Sequence, residues 1–310
     1  MNPSQLNNLC FILPTGYGKS KIGLDKAYGR TLIVVPRVVL YDNWKKEIDK
    51  WNSKITASFV TYAGIHKVKG HKFDTIIYDE AHHITKRVVE NIPVADKNIF
   101  LSATLTGETL ARIMRTWEPK IYNKSMVDAI DEGRLPEPKI MLYKLVLTPE
   151  QRKQYEKWTY LVEKAKNDRD RKMTILFGRK RLNFLAECKE NTIRQHLNTL
   201  KDCRTLTFCS SQDQTKRLGE NYICSKNKKS AELVDKFNNG EINHITACDM
   251  LNEGINLHNC QYGIFCKISS SELQTIQKIG RIIRHKEPYI HIFYFENTQE
   301  EKIINKYFQF

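Results

Sequence analysis

The sequence predicts an α/β protein built from two tandem parallel-sheet units, the second opening with a helical insertion. Three observations carry that expectation. Apolar runs rich in Val, Ile, Leu and Phe recur along the chain with helix-period stretches between them, which is how parallel strands buried on both faces read. At 310 residues and 41% hydrophobic, the chain exceeds what a single core usually serves, so two domains of about 150 residues each are expected. The series is broken once, at SMVDAIDEGRLPEPK, residues 125–139, which holds two prolines and little apolar content after Ile130. The first domain is therefore expected over 1–124, a connection over 125–139 and the second domain over 140–310.

The elements follow in order. LCFIL reads as the first strand, with a helix from about Ser20; TLIVV is the next strand, with a helix around Tyr41 to Trp51; SFVTY, DTIIYDE and NIFLSAT are the later strands of the first domain. In the second domain KIMLYKLV, RTLTFCS, HITACDM, YGIFCK and YIHIFYF read as strands. Between the first two of these lies a helical insertion over about 148–200. From Pro149 to Lys201 it carries 14 Lys and Arg against 7 Asp and Glu, with Tyr155, Trp158, Tyr160, Phe177 and Phe184 among the charges. Two readings stay open for it. It is either a pair of solvated helices whose aromatics face their own seam or an arm that rests on a phosphate backbone.

Composition narrows the function class. The formal net charge is +15, a surplus that points to a polyanionic partner and so to nucleic acid. The eight cysteines include no C-x-x-C pair and sit mostly beside apolar residues, so reduced, packed thiols are expected and neither a zinc site nor a disulfide frame. MNPSQLNN has no signal pattern, and no apolar run approaches the ~20 residues of a membrane span. The expected location is the cytoplasm, with no membrane partner.

PTGYGKS, Pro14 to Ser20, follows the first strand and opens the first helix. Gly16 and Gly18 let the loop wrap so that backbone N–H groups point inward, and the helix N-terminus adds partial positive charge; together these bind a phosphate. Thr15, Gly16, Tyr17, Gly18, Lys19 and Ser20 are thus the candidate ATP-binding residues, with Lys19 reaching the β- and γ-phosphates and the Ser20 hydroxyl ligating Mg²⁺. The strict pattern has a further glycine where this chain has Leu13. YDEAHH ends an apolar strand, which places Asp79 and Glu80 where open α/β sheets put their chemistry. Asp79 can hold magnesium, and Glu80 can orient and deprotonate the attacking water. Near the other end, QTIQKIGRIIRH reads as an amphipathic helix: Gln277, Gly280, Arg281 and Arg284 share one stripe beside the apolar Ile276, Ile279 and Ile283.

PTGYGKS, DEAH (Asp79 to His82), SAT (Ser102 to Thr104), MLNEGINL (Met250 to Leu257) and QKIGRIIR (Gln277 to Arg284) resemble, in order and approximate spacing, the motifs of the superfamily 2 helicases and translocases. The resemblance covers nearly the whole chain. TYAGIHK, LTPEQRKQYEKW and the GINL ending look like the branch containing Swi/Snf-type remodellers, phage recombination helicases and restriction-enzyme motor subunits, which favours DNA over RNA. It implies two RecA-like domains with Mg-ATP between them. It implies an arginine finger at Arg284, with Arg281 and Gln277 on the same wall, and such a finger contributes on the order of 10³ to 10⁵ in rate. It further implies coupling through His82, Ser102 and Thr104, a ribose contact at Asn256 with Gly254 giving it room, and a nucleic-acid track at Pro36, Arg37, Thr61, Tyr62 and Ser210.

The chain also departs from the family pattern. Too few residues precede Lys19 for the family's glutamine-containing adenine element, and Gln5 is a poor substitute. Almost nothing follows the final strand and helix, which leads to the expectation of a bare motor from a phage or mobile element, or a subunit given specificity by a protein partner. Two other function classes stay open at this level: an RNA helicase, and an ATP-switched nucleic-acid clamp that unwinds nothing.

Overall fold

The structure is a computed structural model that describes residues 8–105, 107–224, 227–248, 257, 259–267 and 285–307. Gly254, Asn256, Gln277, Arg281 and Arg284 lie outside the described residues. The chain divides into two compact units, 1–135 and 136–310, and both are parallel-sheet α/β folds.

In the first unit the order is β1 (Leu9–Ile12), α1 (Lys19–Lys26), β2 (Arg30–Val35), α2 (Leu40–Lys50), β3 (Thr56–Thr61), a 3₁₀ segment (Tyr62–Val68), β4 (Lys72–Asp79), a 3₁₀ turn (Ala81–His83), α3 (Lys86–Val89), β5 (Val94–Ser102), α4 (Gly107–Trp117), β6 (Lys120–Asn123) and α5 (Met126–Asp131). The strands lie in the order β3-β2-β4-β5-β1-β6, all parallel. Ile33, Val34, Val35, Ile76, Ile77, Tyr78, Ile99, Phe100 and Leu101 have no solvent exposure, because helices cover both faces of these central strands. Tyr78 stacks on Phe100 at 4.9 Å, with Trp117 closing one side of that layer. The register matters for chemistry. Ile12 pairs with Ser102 and Asp79 with Leu101, so β4, β5 and β1 end level with one another.

The second unit runs β7 (Lys139–Leu145), α6 (Pro149–Asn167), α7 (Arg171–Cys188), α8 (Glu190–Thr199), β8 (Thr205–Phe208), α9 (Gln212–Leu218), β9 (Tyr222–Ile223), α10 (Ser230–Asn239), β10 (His244–Ala247), β11 (Tyr262–Phe265), β12 (Tyr289–Phe295) and α11 (Gln299–Tyr307). Its sheet order is β7-β12-β11-β8-β10-β9, also parallel. The insertion holds three helices where two were expected. Thr148 and Gln151 form a reciprocal capping box at the start of α6, and Asp170 caps α7. Its aromatics divide between the two readings: Tyr155 and Phe184 pack with Leu147, Leu185 and Phe295, and Trp158 lies 6.3 Å from Phe177, whereas Tyr160 is 66% exposed.

Residues 125–135, read from sequence as part of the connection, pack with the first unit. Ser125 and Asp128 cap α5 reciprocally, and Ala129 and Leu135 are buried. All eight cysteines are free thiols, most of them buried. No described helix is long and apolar enough to cross a membrane.

Candidate functional site

The site is built at the carboxyl ends of β1, β4 and β5. Leu13 extends β1 by one residue, donating its N–H to the Ser102 carbonyl at 2.9 Å. The chain then turns, with Tyr17 N–H donating to Pro14 O at 3.2 Å. Gly16 and Gly18 have φ of 92° and 94°, left-handed values that a side chain would strain. Gly18 is also the N-cap of α1 and supplies no side-chain acceptor, so the first helical N–H groups keep their capacity for an anion. Thr15 and Ser20 are half-buried in this loop and first turn. Lys19 Nζ donates to the carbonyls of Leu13 at 3.1 Å and Pro14 at 3.4 Å, folding the side chain back over its own loop.

Across the sheet, Asp79 ends β4 with both carboxylate oxygens engaged. Oδ2 accepts from Trp44 Nε1 at 2.9 Å and Oδ1 from the Glu80 N–H at 3.0 Å, while the Asp79 carbonyl accepts from the Tyr62 hydroxyl at 2.8 Å. Burial, and then the Glu80 carboxylate beside it, push the Asp79 carboxyl up to about 6, against the opposing pull of the Trp44 N–H and the Lys19 ammonium. Glu80 adopts φ 51°, a left-handed conformation uncommon for a non-glycine residue, at the sharp turn off the strand. Its Oε2 is buried and has no hydrogen-bond partner among the described residues.

His82 lies between these groups and β5. Its Nδ1 is 3.4 Å from Glu80 Oε2 and 3.3 Å from Ser102 Oγ, and Ser102 Oγ donates to the Thr104 carbonyl at 2.6 Å. One polar chain therefore links Glu80, His82, Ser102 and Thr104. His83 packs its ring 4.4 Å from His82 and 5.8 Å from Tyr62.

The residues expected to touch nucleic acid are dispersed. Pro36 and Arg37 form the turn into α2, with Arg37, Val38 and Val39 exposed. Thr61 uses its hydroxyl to accept from Gly64 N–H at 3.2 Å, and Tyr62 is buried with its hydroxyl turned to Asp79. In the second unit, Ser210 donates its N–H to Gln214 Oε1 at 2.7 Å and keeps its hydroxyl inside, without a partner among the described residues. Sequence reasoning missed Trp44 as a partner of Asp79. No local signal marks it, because an indole in an amphipathic helix reads as core.

The donor set suits a nucleotide with a hard cation. Glycine-framed N–H groups, an ammonium and a helix N-terminus face an aspartate and an orphaned glutamate oxygen. Among the described residues no group of three or more His, Cys, Asp or Glu forms a metal cage. Magnesium fits that arrangement, since it is bound by one or two carboxylates plus phosphate and water.

The model of the helicase conserved C-terminal domain matches residues 188–286. The DNA 3'-5' translocase XPB2 of Sulfurisphaera tokodaii is 23% identical over 330 aligned positions, spanning 89% of this chain and 74% of that protein. The chain is thus similar to superfamily 2 helicases. A second relative, the ATP-dependent helicase IRC3 of Saccharomyces cerevisiae, is 22% identical over 285 positions, and the chain spans 40% of its length. The crystal structure of the Pyrococcus furiosus Hef helicase domain superposes with a TM-score of 0.56 at 14% identity, covering 99% of this chain and 96% of that one. At that identity the likeness concerns the fold, and it agrees with two tandem RecA-like units.

Proposed function

We propose that the chain is an ATP-driven helicase or translocase acting on DNA. The observation that carries this reading is the polar chain at the strand ends, in which Lys19 and Asp79 attract one another and Glu80, His82 and Ser102 follow in contact. XPB2, described as a DNA translocase, supports the choice of polymer.

The phosphates of ATP would bind the N–H groups of residues 15–20, displacing Lys19 Nζ from the Leu13 and Pro14 carbonyls onto the β- and γ-oxygens. Ser20 and Asp79 would hold Mg²⁺, whose charge offsets that developing on the transferred phosphoryl. Glu80 would orient water through Oε2, which has no hydrogen-bond donor among the described residues. His82 and Ser102 would carry the change of state to Thr104. By the motif resemblance, Gln277, Arg281 and Arg284 would serve hydrolysis, Arg284 as the arginine finger, and Asn256 and Gly254 would serve the ribose.

For DNA, the outer stripe of α7 offers Arg171, Lys172, Arg179 and Lys180, all exposed at helical spacing around Ile175 and Leu176. Contacts of this kind neutralise phosphates without reading bases. Pro36, Arg37, Thr61, Tyr62 and Ser210 remain the proposed track at the sheet ends. A phage or mobile-element origin, a cytoplasmic setting and a specificity-giving protein partner complete the proposal.

The test is ATPase activity titrated with duplex, forked and single-stranded DNA and with RNA. DNA stimulation, abolished by Lys19→Ala and by Glu80→Gln, is expected. Greater stimulation by RNA would reassign the polymer, and indifference to both would end the motor reading. Single-turnover hydrolysis with tight binding and no strand movement would instead indicate a clamp.

A further inference from the structure

Tyr17, at the middle of the phosphate loop, is gripped by a segment 115 residues away. Its hydroxyl donates to Glu132 Oε2 at 2.9 Å, and the Arg134 guanidinium lies 5.0 Å from its ring centroid. Glu132 is held in turn by Lys124 Nζ at 2.6 Å on Oε1 and by Arg134 Nε at 3.6 Å on Oε2. Its carboxyl is kept below the ordinary glutamate range by the Lys124 and Tyr17 hydrogen bonds, so it is an anion at neutral pH.

The segment that carries these groups is built to hold them. α5 is capped at its start by Ser125 and Asp128, and its end is closed by Gly133 N–H to Ile130 O at 2.8 Å and Arg134 N–H to Ala129 O at 2.9 Å. Gly133 takes φ 67°, the left-handed turn that closes α5 between Glu132 and Arg134. At its other end Lys124 N–H donates to Ile12 O at 3.0 Å, which fixes the segment to the strand that feeds the phosphate loop. The loop itself has two left-handed glycines flanking Tyr17, the residue type that leaves a backbone freest to move. A tether on the single side chain between them restricts that freedom where phosphate-binding N–H groups must converge.

We propose that Glu132 is a positioning residue for nucleotide binding: through the Tyr17 hydroxyl it holds the phosphate loop near its binding geometry, and so sets affinity for the triphosphate without touching it. The inference rests on the nucleotide reading above. Lys124 and Arg134 together outweigh the charge of Glu132, so the tether does not make the loop repel an anion. The effect is pre-organisation, which appears in binding and not in the chemical step.

Steady-state ATPase of the full chain at saturating DNA tests it, with KM and kcat determined for ATP and GTP. Glu132→Ala is expected to raise KM for both nucleotides about tenfold, the factor carried by one charge-assisted hydrogen bond, with kcat within about twofold. Glu132→Gln keeps an oxygen acceptor for Tyr17 and should return KM to within about threefold of the unaltered protein. An unshifted KM in Glu132→Ala overturns the proposal. So does a shift for one nucleotide only, which would mean a base contact, or a joint loss of kcat, KM and thermal midpoint, which would mean a merely structural part. An unaltered protein without ATPase activity overturns the nucleotide reading itself.

Discussion

Trp44 donates its indole N–H to Asp79 Oδ2 across 2.9 Å, from the first turns of α2 to the end of β4. Trp44 is 3% exposed, and Asp79 is half-buried at the end of its strand. The bond aims a carboxylate that burial alone would push toward its neutral form. A magnesium ligand must be ionised, so Trp44 acts on the proposed chemistry through Asp79.

Trp44→Phe should therefore change magnesium dependence as well as stability. The ring stays and the core keeps most of its area, while a hydrogen bond to a charged group, worth about 1.5–3 kcal/mol, is lost. We expect kcat to fall about tenfold or more and the Mg²⁺ concentration for half-maximal rate to rise, while the urea midpoint falls by no more than the loss of that one bond. Unaltered magnesium dependence would show that the indole only packs.

The α7 stripe makes a prediction about salt. Each phosphate neutralised on duplex DNA contributes a slope of about −0.9 to log affinity against log salt. Replacing Arg179 and Lys180 with Ala should make that slope shallower by about 1–2 and weaken all sequences alike, as seen by fluorescence anisotropy on unrelated duplexes. An unchanged slope would leave the stripe as a solvated face.

The base of the same arm is fixed by a buried ion pair. Lys189, at the junction of α7 and α8, reaches Glu300 Oε1 at 2.5 Å and the Cys266 carbonyl at 3.0 Å, and both side chains are essentially without solvent. Glu300 Oε2 also accepts the Phe295 N–H at 3.2 Å. Lys189→Met should cost about 3–5 kcal/mol by stranding Glu300, and adding Glu300→Gln should restore more than half of it. Urea unfolding of the two variants reads this directly. A double variant as unstable as the single one would mean that packing around Lys189, and not charge, dominates.

What could be read from the sequence was what is local. The Pro14–Ser20 loop, the Asp79–Glu80 turn and Ser102–Thr104 each concentrate their polar groups in a few successive residues, and the buried runs of β2, β4 and β5 announce a parallel sheet. β6 and β9 were invisible because four exposed residues and two residues carry no apolar pattern. The break between α7 and α8 has no glycine or proline to mark it, so three helices read as two. Residues 125–135 looked like a connection because caps and ion pairs hold them, and such contacts leave no hydrophobic period. Trp44 and Glu132 reach the site over 35 and 115 positions, a relation that only folding creates.

Acid should destabilise the second unit through its buried histidines. Burial, and then the neighbouring His196, push His291 down to about 4, and burial alone pushes His244 down to about 4. His291 Nδ1 sits 3.0 Å from the Tyr143 hydroxyl and 2.7 Å from His196 Nε2, inside the sheet's aromatic layer. In the unfolded chain each histidine titrates near 6.5, so between about 6.5 and 4 the unfolded state binds more protons and stability rises with pH. The contribution is complete above about 6.5 and is withdrawn as the pH falls toward 4, by about 2 kcal/mol per histidine at pH 5. Asp79 acts in the opposite sense in the first unit: its raised carboxyl is better tolerated when protonated, so its own term improves as pH falls through about 6. The two units should thus respond to mild acid with opposite tendencies from these groups. Urea midpoints at pH 7 and pH 5 should differ less in His291→Phe than in the unaltered protein, by roughly half of the histidine contribution. An equal difference would mean that His291 titrates alike in the folded and unfolded states or that other groups govern the acid response.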